Sequence, residues 1–198
     1  MNFNILIFFL ISYFICAIPF GLLISKILNK KDIRQHGSKN IGATNVARVL
    51  GKKYGLATLI LDSLKGAITV ILAKNLFALS SNYEKIVLLT AFIAVFAHIF
   101  PIYLKFKGGK GVATTIAVIL AINPLVGLVV ISSWLLIFAF SKISALSSLI
   151  STFIAILFAV YNQESLLQII LFVTLFILVF IRHIENISRI IHGKENKI

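Results

Sequence analysis

The chain has 198 residues, of which 60% are hydrophobic and 13% charged, and its mean hydropathy is +1.04. Soluble domains have about 25% charged residues, so this chain cannot hide its apolar surface by folding into a water-soluble globule. The formal net charge of +13 would suggest nucleic-acid binding in a soluble protein, but the cations lie between apolar runs and we expect no nucleic-acid partner. The composition predicts an all-α, polytopic membrane helix bundle, with residues 1–198 as a single integral membrane domain.

Apolar runs in chain order predict about seven transmembrane helices. A helix needs about 20 residues to cross a hydrocarbon core of about 30 Å, and fewer if it packs against neighbours. The first run begins without a basic residue and exceeds a signal-peptide core in length, so we interpret it as a retained helix. The predicted spans are 3–28, 54–79, 85–104, two shorter helices within 112–140, then 146–161 and 165–181.

The run 112–140 is divided because Asn123-Pro124 lies inside it. Proline removes a backbone donor and biases the preceding residue away from the helical conformation. We therefore expect one helix to end near Asn123 and another to begin there.

The positive charges favour the same division. With seven spans, sixteen of the 19 lysines and arginines fall on one side: eight within 26–53, three within 105–110, Lys142, and four from Arg182 onward. The opposite side carries Lys74 and Lys85. Because cytoplasmic loops are rich in Lys and Arg, this pattern predicts an outside N-terminus and a cytoplasmic C-terminus.

The first polar segment on the cation-rich side, residues 36–48, combines glycines with hydroxyl, amide and guanidinium groups. Small residues let backbone amides approach an anion, and the polar side chains add donors, as in a phosphate or carboxylate site. The alternative is a solvated turn followed by a short amphipathic helix capped by Thr44 or Asn45. The candidate substrate-binding residues are Ser38, Asn40, Gly42, Thr44 and Asn45, with Arg48 as a candidate catalytic residue.

The second polar segment, residues 106–114, is a glycine-rich loop that leads into a helix. Backbone amides at a helix start, together with Lys110, form a candidate phosphate site. It is not a nucleotide P-loop, because position 104 is Leu and Lys110 is followed by Gly111, which makes an ATPase improbable. The alternative is an interfacial loop whose lysines reach lipid phosphates, but that reading leaves Gly108, Gly109 and Gly111 unexplained.

The third polar segment, residues 182–193, has His183, Asn186 and Ile187 on one helical face. His183 and Asn186 are candidate catalytic residues that could point back at the other two segments. The alternative is an amphipathic interfacial tail with its basic side on anionic lipid.

Asp62 and Lys65 lie inside the second predicted span at i, i+3 spacing. Ionisable groups there are costly unless paired or facing a polar cavity, so they indicate either a functional site or a mutual ion pair. We interpret His98 as a helix-end hydrogen-bonding residue and the single cysteine, Cys16, as a packing residue. The His and carboxylate spacings match no metal site, and we expect neither a metal nor another cofactor.

Together, the three segments closely resemble the cytoplasmic motifs of the bacterial acyl-phosphate:glycerol-3-phosphate acyltransferase family. The resemblance rests on 37–45 with Arg48, on 106–114 and on 182–187, in that order, and covers essentially the whole chain. It implies a seven-helix enzyme of the bacterial inner membrane with its active site on the cytoplasmic face. Its substrates would be acyl phosphate and glycerol 3-phosphate, and its lipid product lysophosphatidate. Contact with other phospholipid-synthesis enzymes is compatible with this, and the oligomeric state is not indicated.

Two features depart from the family pattern. Ile184 stands where these motifs commonly have a second arginine, and the segment 141–148 matches only loosely. Ser147 and Ser148 are the candidate substrate-binding residues of that segment.

The residues favour direct acyl transfer without an acyl-enzyme, and the resemblance implies that the acceptor is the sn-1 hydroxyl of glycerol 3-phosphate. An acyl phosphate is already activated, and the sequence contains neither a His-x4-Asp pair nor a Gly-x-Ser-x-Gly turn. In this hypothesis Ser38, Arg48 and Lys110 hold the glycerol phosphate, while the glycine loop and the amides of Thr44 and Asn45 bind the acyl phosphate. The alternative is a transporter or flippase for an organic or lipid phosphate, but we find no internal repeat that would favour it.

Overall fold

The computed structural model describes residues 3–28 and 30–197, and all regular structure in this part of the chain is helical, as predicted. Its α-helices are α1 (Phe3–Cys16), α2 (Phe20–Ile27), α3 (Ala43–Leu50), α4 (Lys52–Leu76), α5 (Tyr83–Ile99), α6 (Val112–Ile122), α7 (Pro124–Ser141), α8 (Ser144–Tyr161), α9 (Leu166–Arg182) and α10 (Ile184–Ile191). A 3-10 turn covers Ile102–Leu104.

The first predicted span is broken rather than continuous. Helices α1 and α2 are inclined by 46° to each other. The break lies at Pro19, which cannot donate a backbone hydrogen bond and disfavours helical geometry at Ile18. The prediction of one continuous helix from this long apolar run is therefore wrong at Pro19.

The predicted break at Asn123 is confirmed. Helix α6 ends at Ile122, and Asn123 adopts extended geometry with φ −135° and ψ 103°. Its side-chain oxygen accepts hydrogen bonds from the amides of Leu125 (3.1 Å) and Val126 (3.2 Å), while Pro124 occupies the first position of α7. Asn and Pro at these positions are favourable at a helix start.

Four helical segments are long and apolar enough to cross a membrane: Lys52–Leu76, Tyr83–Leu104, Pro124–Ser141 and Ser144–Tyr161. The bent pairs α1/α2 and α9/α10 raise the count to six if each is one span, and α6 is a shorter apolar helix of 11 residues. The described residues therefore support a multi-pass membrane protein with four to six candidate spans. A seventh span, which would require α6 to cross, stays a prediction.

Residues 1–118 form one compact unit, called unit 1 below. In it α1, α4 and α5 pack together, and α3 lies against α4. Small residues permit the close approach: a Cβ on Gly55 would collide with Ala47 of α3, and one on Gly21 would collide with the carbonyl of Ile41. Such contacts are typical of membrane helices, whose association gains little from burying apolar surface that lipid already covers.

Residues 119–198 form a second compact unit, called unit 2. Helices α7 and α8 form a hairpin, α9 packs on α8, and α10 contacts both α8 and α9. Asn123 Nδ2 donates to Glu164 Oε1 at 2.6 Å, so the start of α7 and the α8–α9 turn lie at one end of this unit. Since successive helices reverse direction, Lys142 and the α9–α10 junction lie at the other end.

The Asp62–Lys65 pair predicted inside the second span is present. Lys65 Nζ lies 2.8 Å from Asp62 Oδ1 and donates to the carbonyl of Ile18 at 2.7 Å. Both residues are buried, at 3% and 5% exposure. The lysine thus neutralises a buried carboxylate and also satisfies a carbonyl left unpaired by the Pro19 break, as backbone inside a bilayer requires.

We expect Lys65→Met to lower the free energy of unfolding by about 3–5 kcal/mol, because it removes the lysine that neutralises a buried carboxylate. Unfolding in mixed detergent micelles measures this change. Lys74→Met, at the end of the same helix, serves as the control and should cost less than about 1 kcal/mol. Equal effects of the two substitutions would contradict the stabilising role of the buried pair.

Candidate active site

Asn45 organises the first polar segment. Its side chain is 1% exposed, and Nδ2 donates to the carbonyls of Ile33 (2.9 Å), His36 (3.1 Å) and Asn40 (2.8 Å). Its Oδ1 accepts from the amide of Ser38 at 2.8 Å. One buried amide therefore fixes the path of the chain before α3 and sets the position of Ser38, a function that the sequence did not indicate.

The helix at the end of this segment begins two or three residues earlier than the capping alternative placed it. The N-cap of α3 is Gly42, without a side-chain cap, so the expectation of a Thr44 or Asn45 cap is wrong. Asn40 Oδ1 instead accepts from the Gly42 amide at 2.8 Å. Thr44 and Arg48 are half-buried and four residues apart, so they share one face of α3.

The turn before this segment carries an ion pair between Arg34 Nη2 and Asp32 Oδ2 at 2.7 Å. Hydrogen bonds from Arg34 lower the pKa of Asp32 to about 2. The carboxylate therefore stays ionised at neutral pH, and the interaction is lost only as the pH falls through about 2.

Gly37 is required by geometry. Its φ is +60°, and a Cβ there would collide with Asn45 Oδ1. We expect Gly37→Ala to displace the Asn45 side chain and to lower kcat/KM for the substrate bound by this segment at least about tenfold, as loss of a buried hydrogen-bond network would. Gly193→Ala is the matched control, because Gly193 has φ +66° but nothing within 4 Å of a Cβ. Steady-state kinetics measures kcat/KM of both variants. An equal loss of kcat/KM in the two would contradict the role of the Asn45 contact.

Apolar packing brings the first and second segments to the same end of unit 1. Ile33, Ile41 and Val46 form a buried cluster with Leu22 of α2, and Leu104 packs against this cluster just before the glycine loop. The start of the second segment therefore lies beside the first segment within unit 1.

The glycines of the second segment pack against the chain's own backbone. The amides of Gly108 and Gly109 donate to the carbonyls of Ile99 (3.0 Å) and His98 (3.2 Å). A Cβ on Gly108 would collide with the His98 carbonyl, and one on Gly109 would collide with the His98 ring. These two amides are therefore used in folding the loop.

The end of this loop has the features of an anion site. Gly111 has φ +84° and leads into α6, whose first turn directs amide groups out of the helix end. Lys110 is half-buried immediately before it, whereas Lys107 is exposed. A lysine next to a helix N-terminus supplies both charge and donors to an anion.

His183 lies at the junction of α9 and α10 in unit 2, where the chain bends by 63°. It is 2% exposed, and Nδ1 lies 2.8 Å from the carbonyl of Val179. Because a carbonyl only accepts hydrogen bonds, Nδ1 must carry the proton. In the neutral ring, Nε2 is then the acceptor, which is the form that a general base or hydroxyl-orienting group needs.

Asn186 lies in the first turn of α10 and is 3% exposed. Its Nδ2 donates to Glu195 Oε1 at 2.8 Å, and Arg189 Nε donates to Glu195 Oε2 at 2.7 Å. The amide of Asn186 is thus oriented so that it donates to an oxyanion, here a carboxylate of the C-terminal segment. Glu195 was not singled out from the sequence, since nothing in its local pattern indicates that it folds back on α10.

Ser147 and Ser148 lie in the first turns of α8 and are buried. Their hydroxyls donate to the carbonyls of Ile143 (3.0 Å) and Ser144 (2.8 Å), and Ser148 Oγ also accepts from Trp134 Nε1 at 3.1 Å. In the structure both serines therefore take part in helix packing, and their predicted contact with substrate stays a prediction.

A cavity of about 410 Å³ opens beside the second segment. Its lining is mainly apolar, and Lys26 contributes a charge. The lining includes Ile18, Pro19, Leu22, Leu23, Tyr103 and Leu104. Pro19, at the break between α1 and α2, lines this cavity, so the broken helix forms part of the cavity wall.

Comparison with known proteins agrees with the resemblance of the three segments. The family model described as glycerol-3-phosphate acyltransferase matches residues 6–193. The glycerol-3-phosphate acyltransferase of Ehrlichia canis (strain Jake) is 47% identical over 188 residues, covering 95% of this chain and 95% of that relative. That of Desulfotalea psychrophila is 45% identical over 189 residues, covering 96% of this chain and 95% of the relative.

Solved structures give the same result. The crystal structure of PlsY (YgiH), an integral membrane glycerol 3-phosphate acyltransferase, in its glycerol 3-phosphate form is 36% identical with a TM-score of 0.92. That match covers 98% of this chain and 96% of the other. The lysophosphatidic acid form matches with a TM-score of 0.89 over 98% of this chain and 95% of the other. The chain therefore belongs to the glycerol-3-phosphate acyltransferase family and is an integral membrane acyltransferase.

Proposed function

We propose that this acyltransferase uses acyl phosphate as its donor and transfers the acyl group directly to the sn-1 hydroxyl of glycerol 3-phosphate. The hydroxyl oxygen forms the new ester bond with the acyl carbon, and the bond between that carbon and the phosphate oxygen breaks. The hydroxyl proton passes to the released phosphate. The products are lysophosphatidate and inorganic phosphate.

The observation that carries this proposal is the buried contact between His183 Nδ1 and the Val179 carbonyl, from which we infer the tautomer. The Val179 carbonyl fixes the proton on Nδ1, so Nε2 is an acceptor for a hydroxyl hydrogen bond. The imidazole is buried, which keeps its orientation fixed. Together with Asn186, it would orient the acceptor hydroxyl, and positioning of this kind supplies much of the acceleration in such reactions.

Charge neutralisation is the second requirement, since both substrates are phosphate anions. We propose that Ser38, Arg48 and Lys110 bind the phosphate of glycerol 3-phosphate. The donor phosphate would use the amides at the start of α6 and of α3 together with Thr44, because the Gly108 and Gly109 amides are already bonded to the backbone. Since acyl phosphate has a good leaving group, stabilising its charge matters more than protonating it.

Three buried side chains that could act as nucleophiles lack an activating base among the described residues, and this supports transfer without an acyl-enzyme. Ser147 and Ser148 donate their protons to backbone carbonyls, whereas an activated serine would donate to a base. Cys16 is fully buried in α1, with its Sγ 3.4 Å from the Lys65 carbonyl.

A donor comparison with mass spectrometry tests this proposal. The purified protein in lipid is incubated with palmitoyl phosphate, palmitoyl-CoA or palmitoyl-acyl carrier protein, each with glycerol 3-phosphate. We expect lysophosphatidate from palmitoyl phosphate and no palmitoylated protein when the acceptor is omitted. Turnover with either of the other donors alone, or a palmitoylated protein that reacts on addition of acceptor, would contradict the proposal.

The cavity beside Tyr103 and Leu104 suits the acyl chain, because its lining is mainly apolar and its neighbour is the glycine loop. We expect Leu23→Trp to narrow it and to shift the preference toward shorter acyl phosphates by about tenfold, since each buried methylene contributes about 0.8 kcal/mol. Ratios of kcat/KM for dodecanoyl and palmitoyl phosphate measure the shift, with Leu79→Trp, a fully exposed position outside the cavity, as control. An unchanged ratio of kcat/KM for the two acyl phosphates would show that the acyl chain does not bind in this cavity.

The topology proposed for this site has seven spans in the bacterial inner membrane, with the three motif segments on the cytoplasmic face. The distribution of cations supports it. Helix α6 would then cross as a short helix of about 16 Å, which requires shielding by protein or a thinned bilayer. Cysteines placed at Lys107 and Ser81 test the orientation: a membrane-impermeant maleimide should label only position 81 in intact spheroplasts, and labelling at 107 would overturn it.

A further inference from the structure

Three ionisable side chains in unit 1, Asp62, Lys65 and His98, are buried together and have no role in the proposed chemistry. Their exposures are 3%, 5% and 6%. Lys65 is 2.8 Å from Asp62 Oδ1, and His98 Nδ1 lies 3.7 Å from the same oxygen. Helix packing alone does not require a second partner for a carboxylate that a lysine already neutralises, so the histidine calls for a separate explanation.

His98 is in direct contact with the glycine loop. The backbone amide of Gly109 donates to the His98 carbonyl at 3.2 Å, and the next amide contact joins Gly108 to Ile99 at 3.0 Å. The imidazole lies so close to Gly109 that a Cβ there would collide with Nε2. The last turn of α5 therefore shapes the loop through both its backbone and the His98 ring.

Asp62 contacts the helices on both sides of this loop, through its side chain on one side and its backbone carbonyl on the other. On the N-terminal side it faces His98 of α5. On the C-terminal side, Thr114 Oγ1, in the first turn of α6, donates to the backbone carbonyl of Asp62 at 3.0 Å. Thr114 is fully buried. One turn of α4 thus fixes the helix before the loop and the helix after it, with Lys110 between them.

We propose that Asp62 and His98 are positioning residues, which hold the glycine loop so that Lys110 and the start of α6 keep the geometry needed to bind a phosphate group. This inference rests on the proposed function of that loop. If the pair only stabilised helix packing, its loss would lower stability and leave substrate affinity unchanged. As positioning residues, they determine the KM for the phosphate substrate more than kcat.

A double-mutant cycle between Gly109 and His98 tests the contact. In the otherwise unchanged protein, we expect Gly109→Ala to raise the KM of a phosphate substrate at least about tenfold, because the new methyl group displaces the loop. In a His98→Ala background the ring is gone, and the same change should raise KM less than about threefold. An equal factor in both backgrounds would overturn the proposal. Separate titrations of palmitoyl phosphate and glycerol 3-phosphate show which phosphate the loop binds.

Asp62→Asn and His98→Gln, which conserve size, keep the test decisive if Gly109→Ala does not fold. We expect each to raise the KM at least about threefold with kcat changed less, while Thr90→Val, a buried isosteric change in α5, leaves KM unaltered. A lower thermal midpoint with an unchanged KM would show that Asp62 and His98 only stabilise helix packing, and would overturn the proposal. If the wild-type protein does not turn over acyl phosphate, the donor assignment fails, but calorimetric binding of inorganic phosphate to the same variants still decides on positioning.

Discussion

His183→Ala is expected to lower kcat by a factor of about 10², because loss of a side chain that orients the acceptor hydroxyl misplaces the attacking oxygen. The expectation follows from the buried ring and from its contact with the Val179 carbonyl, which leaves Nε2 as an acceptor. Because the side chain would act on the hydroxyl during transfer, the KM for palmitoyl phosphate should change much less. Initial rates over a range of both substrates separate these quantities.

His192 provides a matched control within the same helix pair. Its Nδ1 lies 2.7 Å from the carbonyl of Ser188, four residues earlier, as His183 does with Val179, but the side chain is exposed. His192→Ala should therefore leave kcat within about twofold of wild type, as surface changes do. A loss below about tenfold for His183→Ala would contradict its role in orienting the acceptor hydroxyl.

Lys110→Ala is expected to lower kcat/KM by about 10–10²-fold, because a charge-assisted hydrogen bond to a phosphate contributes about 1.5–3 kcal/mol. The lysine is half-buried at the end of the glycine loop, next to the start of α6. Lys110→Arg should recover part of the loss, since it restores the charge with a different geometry. Steady-state kinetics with each substrate varied in turn measures the effect.

Lys107→Ala is the control for this substitution. It removes the same charge from the same loop, but at an exposed position. Long-range attraction of anionic substrates would be weakened equally by both changes and would diminish with added salt. Equal losses for Lys107→Ala and Lys110→Ala would therefore show that the loop acts through its net charge and that Lys110 makes no specific contact.

Helix breaks could be predicted from the sequence where a capping residue accompanies the proline. At Asn123-Pro124 the two residue types act together, and the structure has the expected cap. At Pro19 the flanking residues are apolar and offer no side-chain cap, so the long run was interpreted as one helix. The carbonyl released there is satisfied by Lys65, 47 residues away, and a contact at that separation has no local sequence signature.

The functional segments were identified from residue types, but several roles within them depend on packing. Small and polar residues in 36–48 predicted a site, yet the buried side chain of Asn45 is used to shape the loop. Likewise, Gly108 and Gly109 were expected to admit a phosphate, whereas they admit the backbone and ring of His98. A glycine that lets a ligand approach and one that lets the chain's own backbone approach have the same sequence pattern.

The pairing of Glu195 with Asn186 and Arg189 is a further contact that could not be predicted. It depends on the tail after Gly193 reversing direction, where φ is +66°. The short separation from Arg189 to Glu195 is compatible with many conformations, so only the structure identifies the carboxylate as the partner of both side chains.

Release of inorganic phosphate from palmitoyl phosphate by the purified protein in lipid tests the central claim most directly. It is measured with and without glycerol 3-phosphate, alongside lysophosphatidate formation and the Lys110→Ala variant. We predict phosphate release that depends on the acceptor, equals lysophosphatidate formation mole for mole and falls in the variant. Phosphate release at the same rate without acceptor, or no turnover by a folded protein, would contradict direct transfer from acyl phosphate.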